Sequence, residues 1–441
     1  MHVVGPWITQ TFTYFNWLFQ AYRAFTDCAK TMGFIAVPDS NAPDAPPEGV
    51  AILSLTLSKR RERVSSFEAF LPKIALERRN LTICTNTLVS RILFTQEKGL
   101  PSTEKIVFQS SGRKSESTYS AKVNKEVMVC SGAIGSPQVL MLSGIGPREI
   151  LEEHSIKVVH NLPGVGSTLY PSRLGGTGSR ITNFHGNQPL KITLELFKYI
   201  FFQVGLFSIL VQTLALYVRS RMIKQDSTGL IEEASTKSLD PQSLIPDIEL
   251  MPLSTSGMDN FDEPEFINIF SKTLMFCVLA AILQPKSSGT VRLASSNPHD
   301  KPKVDFGILS DASDHTIARS AVRLTLSIAD KMKESGFPLP RNITFPAEKQ
   351  ELDVKSNTTE EMDRFIRQRI RTTFHYASTC KMAPEHDPIA PGVVDDELKV
   401  YGVKGLRVYD TSMFPQIVSG HLQAAAIMVA EECADLIKNE L

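Results

Sequence analysis

The sequence predicts a mixed chain of helices and strands, of the α/β or α+β class, in at least two domains. Three observations carry this. Its 441 residues exceed what one core usually organises, at roughly 100–200 residues per domain. Short β-rich runs and segments of helical period alternate along the chain. One apolar run, VMVCS at 127–131, passes straight into a glycine-punctuated segment able to start a helix, which is a strand–turn–helix step.

Taken in order, residues 38–50 hold Pro38, Pro43, Pro46, Pro47 and Gly49, a composition that cannot continue a helix, so this is a loop between blocks. LTICT (81–85), SRILF (90–94), KIVFQ (105–109) and VMVCS then read as strands separated by Gly-, Ser- and charge-rich turns. VMVCS is apolar at successive positions, as expected of a central strand covered on both faces. Tyr199–Val218 is a 20-residue stretch without a charge, long enough to cross a bilayer. Gln203, Gln212, Gly205 and Ser208 interrupt it and no second such segment exists, so it reads as a buried helix running into a buried strand, and no membrane span is expected. Residues 309–335 and 359–374 have helical spacing, the second opening on the capping-box pattern Thr358-Thr-Glu-Glu361. LRVYD (406–410) is a buried strand ending in an acid, and 421–441 a closing helix.

Composition excludes several classes. The 47 Lys and Arg balance the 47 Asp and Glu, which removes the attraction that non-specific nucleic-acid binding depends on. The six cysteines, at 28, 84, 130, 277, 380 and 433, form no C-x-x-C pair and are too scattered for a disulfide scaffold; they read as buried thiols with at most one incidental bridge. Sequons at Asn80, Asn342 and Asn357 tilt the reading toward secretion, while the first 22 residues, free of Lys, Arg, Asp and Glu, lack the basic start of a signal peptide.

Two groups of residues could carry chemistry. Glycines 132, 135, 144 and 146 bracket an apolar helical run, and such a start either holds a phosphate or is a tight strand–helix packing turn. Pro163-Gly-Val-Gly166 is a second, weaker cluster. His375 lies at the end of the helix that begins at 359, and His421 at the start of the closing helix. Two imidazoles at such boundaries could converge as a base and a hydrogen-bond partner, although lone histidines are more often structural. No G-x-S-x-G and no H-E-x-x-H accompanies them, so hydrolase and metal readings fall away.

Four blocks of the chain resemble the glucose–methanol–choline family of flavin-dependent oxidoreductases, in wording closest to insect members. They are ERVSSFEAFLPKIALERRNLTICTNTLVSRILF (62–94), SGAIGSPQVLMLSGIGPREILEE (131–153), QPKSSGTVRLASSNPHDKPKVDF (284–306), and HYASTCKM with the segment from Gly392 to Ile437. The resemblance implies a partial FAD-binding Rossmann-like domain interleaved with an antiparallel-sheet substrate domain. It implies an alcohol whose hydride passes to FAD, with His375 as base and His421 as its partner. By the same resemblance Val89 meets the adenine, and Asp410, Thr411 and Gln423 neighbour the ribityl chain, pyrophosphate or flavin ring. The implied domains are a remnant at 1–55, FAD-binding parts at 56–175 and 381–441, and a substrate domain at 176–380. The Phe/Leu-rich 196–217 block would then be core packing or the lining of an apolar pocket for a hydrophobic alcohol.

The sequence departs from the family's pattern at three places. It has no G-x-G-x-x-G, so the chain is expected to lack the family's N-terminal βαβ portion. Thr168, Pro171 and Ser172 replace the Asn, Asp and His usual after the 163–166 turn, and Ser378 replaces the usual Gly of the His375 motif. These departures leave a second reading open, a non-catalytic remnant that acts as a binding protein.

Overall fold

The structure is a computed structural model describing residues 20–58, 62–112, 117–181, 189–202, 214–231, 244–253, 274–337 and 358–440. The chain divides into two compact units, each assembled from three separated segments.

The first unit comprises residues 1–82, 173–283 and 315–371. Its sheet runs in the order Ala36–Val37, Gly49–Ile52, Leu214–Val218, Ile248–Leu253, Leu274–Ile282 and Tyr170–Ile181. The first two strands are parallel and every later pairing antiparallel. Successive side chains alternate between faces. Leu216, Val218, Ile248, Leu250, Val278 and Ala280 pack on one face with Phe25 of the helix Gln20–Thr31 and Leu324, Ile328 and Met332 of the helix Ala312–Glu334. Ala215, Met251, Ala281 and Leu283 form a separate apolar cluster from the alternate positions. Two polar pairs are set into this framework: Arg219 grips Glu48 with two guanidinium bonds of 2.7 Å, and Tyr217 donates to the buried Glu249 at 2.9 Å. Burial, with the Glu249 charge second, raises the Tyr217 phenol above its ordinary range.

The second unit comprises residues 83–172, 284–314 and 372–441. Thr87–Glu97, Leu100–Ser110 and Thr118–Lys122 form an antiparallel sheet. Its first turn, Lys98-Gly99, has φ of 52° and 83°, the two left-handed residues that a tight hairpin requires. Val127–Val129 and Leu406–Val408 form a parallel pair. The first leads into the helix Gly132–Leu142, whose Leu140 and Met141 are fully buried against Val129, Val408 and Phe414. Gly144, just past that helix, has φ 85° and lies so near the Lys157 carbonyl that a Cβ would sit 2.4 Å from it, so the close approach read from the glycines is real at this end.

Several expectations are corrected. VMVCS is not covered on both faces, because Met128 is 42% exposed between buried Val127 and Val129 and, among the described residues, the strand pairs on one edge only. LTICT has no regular structure and is exposed. The helix that starts at Thr358 ends at Arg369 and Arg371–Ala377 is a strand, since the Thr372-Thr373-Phe374 run favours extended backbone. The helix Pro189–Phe202 is not buried: Leu190, Leu194, Phe197, Ile200, Phe201 and Phe202 are all exposed, whereas Leu214–Val218 is the buried strand expected. Residues 203–213, the N-terminal 19 residues and the sequons at Asn342 and Asn357 lie outside the described residues, and Asn80 is exposed. Among the described residues no helix is long and apolar enough to cross a membrane. All six cysteines are free; four are buried, while Cys84 and Cys130 are exposed.

Candidate active site

The two histidines converge. His375 stands on the strand Arg371–Ala377, and His421 is the N-cap of the closing helix Leu422–Asn439, with extended backbone and no side-chain cap bond. Their rings meet edge to face, centroids 4.9 Å apart at 83°. A strand residue and a helix-start residue 46 positions apart are held this way because the segment after His375 is laced to the turn before His421. The amides of Ser378, Cys380 and Met382 donate to the carbonyls of Thr411, Ser412 and Met413 at 3.1, 2.7 and 2.8 Å.

Asp410 anchors that turn. Its carboxylate accepts from the Ser412 amide at 2.7 Å, from the Gly132 amide at 2.9 Å and from the Ser136 hydroxyl at 2.6 Å. One carboxylate therefore caps the short helical turn Thr411–Met413 and, from far along the chain, the N-terminus of Gly132–Leu142, where negative charge is favoured. Gly132 itself has φ 74° with open space where a Cβ would stand. Thr379 adds a bond from its hydroxyl to the Ala133 carbonyl, 2.6 Å. Burial raises the Cys380 thiol beside this group, with the Asp410 charge adding to it.

The remaining candidates are placed as follows. Thr411 is half-buried and engaged through its carbonyl, and Gln423 is exposed in the first turn of the closing helix. Val89 is exposed on the separate three-stranded sheet, at a bulge between Val89 and Arg91. Ser136 and Thr379, which sequence reading missed, carry no signal beyond lying inside the matched blocks. The departure at Ser378 did leave a signal: the residue is fully buried at φ 74°, a left-handed conformation natural to the glycine usual there.

The N-terminal GMC oxidoreductase profile matches residues 8–170, and the C-terminal one residues 285–430. The chain belongs to the GMC oxidoreductase family. Its N-terminal family region is present, which corrects the expectation that this portion is lacking. The chain is 31% identical over 426 residues to the glucose dehydrogenase [FAD, quinone] of Drosophila pseudoobscura pseudoobscura, covering 94% of this chain and 61% of that protein. It is 30% identical over 420 residues to the oxygen-dependent choline dehydrogenase of Vibrio vulnificus, covering 94% and 67%. Near-equal identity to an insect and a bacterial member shows that the match does not single out insect enzymes. The chain spans 61% to 67% of the length of these curated relatives. Among solved structures it resembles an FAD-dependent oxidoreductase from Chaetomium thermophilum, with TM-score 0.77, 24% identity and coverage of 96% of this chain and 73% of that one. That likeness shows the mixed α/β fold of the family.

Proposed function

We propose that this GMC oxidoreductase chain oxidises the CH–OH group of a small alcohol, using FAD, and that the 4.9 Å edge-to-face pair of His375 and His421 is its proton-handling centre. The pair is the observation that carries the reading, since two imidazoles on different elements are brought together where backbone bonds lace the segment after one to the turn before the other. The second unit is then the flavin-side unit and the first the substrate-side one.

The residues fit FAD. The closing helix has 18 residues, an N-terminus that the His421 side chain does not cap, and an exposed Gln423 in its first turn, which suits electron-rich ring carbonyls. Val89, exposed at its bulge, and Thr411 are the further candidate contacts. Asp410 supports them chiefly through the turn it holds, because its oxygens already accept three bonds from the chain. FAD, when bound, supplies the acceptor for the two electrons.

The chain's own residues do the rest. A neutral ring nitrogen of His375 takes the hydroxyl proton, and His421 donates to the oxygen as negative charge develops on it, which makes departure of the carbinol hydride favourable. The imidazolium formed at His375 sits edge-on to a second imidazole, so His421 must be neutral to avoid like-charge repulsion. The test is a visible spectrum of the chain after incubation with FAD and desalting, followed by anaerobic addition of alcohols. Retained flavin bands bleached by an alcohol are expected, and His375→Ala is expected to keep the bands and slow bleaching by about 10²–10⁴-fold. A chain that retains no flavin, or a variant that bleaches at the wild-type rate, sinks the proposal.

A further inference from the structure

The loop that delivers His421 to the pair is gripped from a distant part of the sequence. Phe414 to Gly420 runs from the short helical turn held by Asp410 to the start of the closing helix. Phe414, Ile417 and Leu422 are buried and locate this stretch by apolar contact. Such contact is non-directional and leaves the rotation of each peptide plane open. At the middle of the loop one plane is fixed: the side-chain amide of Gln284 donates to the Ile417 carbonyl at 2.8 Å. A carbonyl only accepts, so it is the amide nitrogen of Gln284 that faces it.

Gln284 projects from a stiff segment. The next residue, Pro285, has a fixed φ and restricts Gln284 itself to extended backbone. The amides of Lys286 and Ser287 then both donate to the buried carboxylate of Asp314, each at 3.0 Å. The Asp311 amide donates in turn to the Ser287 hydroxyl at 2.9 Å. At the receiving end His421 is the N-cap of the closing helix, with extended backbone, so the peptide planes just before it set where its ring points. That ring meets His375 edge to face at 4.9 Å.

We infer that Gln284 is a positioning residue for the histidine pair: through the Ile417 carbonyl it fixes the loop that aims the His421 ring at His375. Its effect on rate rests on the alcohol-oxidising reading above; its effect on the geometry of the pair does not. Groups that handle protons in a reaction must keep their geometry to within about 0.5 Å and 10–20°, and a displacement of about 1 Å costs on the order of 10²-fold in rate. Without the Gln284 donor the Ile417 carbonyl loses this partner in a buried stretch of chain, and the plane turns to recover a hydrogen bond elsewhere.

The test reads the rings directly, by magnetic resonance of the full chain carrying isotope-labelled histidine, with the signals of His375 and His421 assigned by their Gln variants. Two substitutions remove the donor: Gln284→Leu without adding charge, and Gln284→Glu, which keeps the shape and is ionised at neutral pH. Both are expected to move the signals of His375 and His421 while those of His154 and His160, in the same unit, stay in place. On the FAD-loaded chain both should slow anaerobic bleaching about tenfold or more, with the alcohol concentration for half-maximal rate within about threefold of wild type. Gln284→Lys, a donor of sufficient reach, should restore signals and rate to within about threefold. Signals of the pair that ignore both substitutions, four histidine signals that move together, or a Lys variant that restores nothing each overturn the inference. Shifted signals of the pair in a chain that no alcohol bleaches would instead remove the oxidation reading and leave the positioning standing.

Discussion

At the scale of single residues the most informative position is Ser378. Its φ of 74° places a Cβ-bearing residue in the left-handed region, and its buried hydroxyl finds no hydrogen-bond partner. Left-handed backbone costs about 1–2 kcal/mol for an ordinary residue, and an unsatisfied buried hydroxyl about 1–3 kcal/mol. Glycine removes both terms and gives back about 0.5–1 kcal/mol through its freer unfolded state. Ser378→Gly is therefore expected to raise stability by about 1–4 kcal/mol, read as a higher urea midpoint at unchanged slope; a lower midpoint would show that the hydroxyl has a use. This residue also shows what the sequence makes legible. The motifs singled out His375 and His421, whose rings the structure brings together, but the reason for the glycine usual at 378 is a backbone angle, which no side-chain pattern encodes.

Elements were legible where local chemistry decides them. The capping box at Thr358 forms as its spacing implies, Thr358 accepting from the Glu361 amide at 3.3 Å and Glu361 accepting from the Thr358 amide at 3.0 Å. The end of that helix was not legible, because the apolar period runs on past Arg369 while the β-branched pair Thr372-Thr373 already favours a strand. LTICT has strand composition yet stays irregular, since exposed on all sides it has no face to bury. The helix Thr359–Arg369 is tied to the long helix Ala312–Glu334 by Arg319, whose guanidinium donates twice to Asp363, at 2.7 and 3.1 Å. That pairing, before the weaker pull of His315 and Arg367, holds the Asp363 carboxyl below its ordinary range. A lowered carboxyl stabilises the fold above its unfolded pKa of about 4 and loses that contribution as pH falls through the folded value. Arg319→Ala should thus flatten the acid limb of a stability–pH curve while leaving its shape near neutrality, as followed by denaturant titration from pH 7 to 2. Asp410→Asn, which removes a charge that caps two helical elements at once, is expected to cost about 2–4 kcal/mol, visible as a fall in melting temperature before any assay of activity.

For the molecule as a whole, the class and family were legible because two long blocks match in order, whereas the division of the chain into two interleaved units depends on pairings between distant segments. The large apolar side chains of the 196–217 block read from composition as core packing or the lining of an apolar pocket, and the structure exposes Leu196, Phe197, Ile200, Phe201 and Phe202 among them. Replacing Phe197, Phe201 and Phe202 together by serine is expected to change stability by under about 0.5 kcal/mol per site and to reduce binding of a hydrophobic dye; unfolding of the variant would show that these rings are covered after all. The parallel pairing of Val127–Val129 with Leu406–Val408 has a further consequence, for biogenesis. Strand pairs of such long sequence separation close late, because the entropy of the intervening loop opposes them until both partners exist. On the ribosome the second unit must wait, its strand Val127–Val129 and the amide of Gly132 both unmatched, until residues 406–410 have left the exit tunnel. The first unit, whose last segment ends at Arg371, is free to assemble earlier. A stalled or truncated nascent chain ending near residue 400 would hold one unit able to fold and one still lacking a strand, and it is in that interval that a chaperone has most to protect.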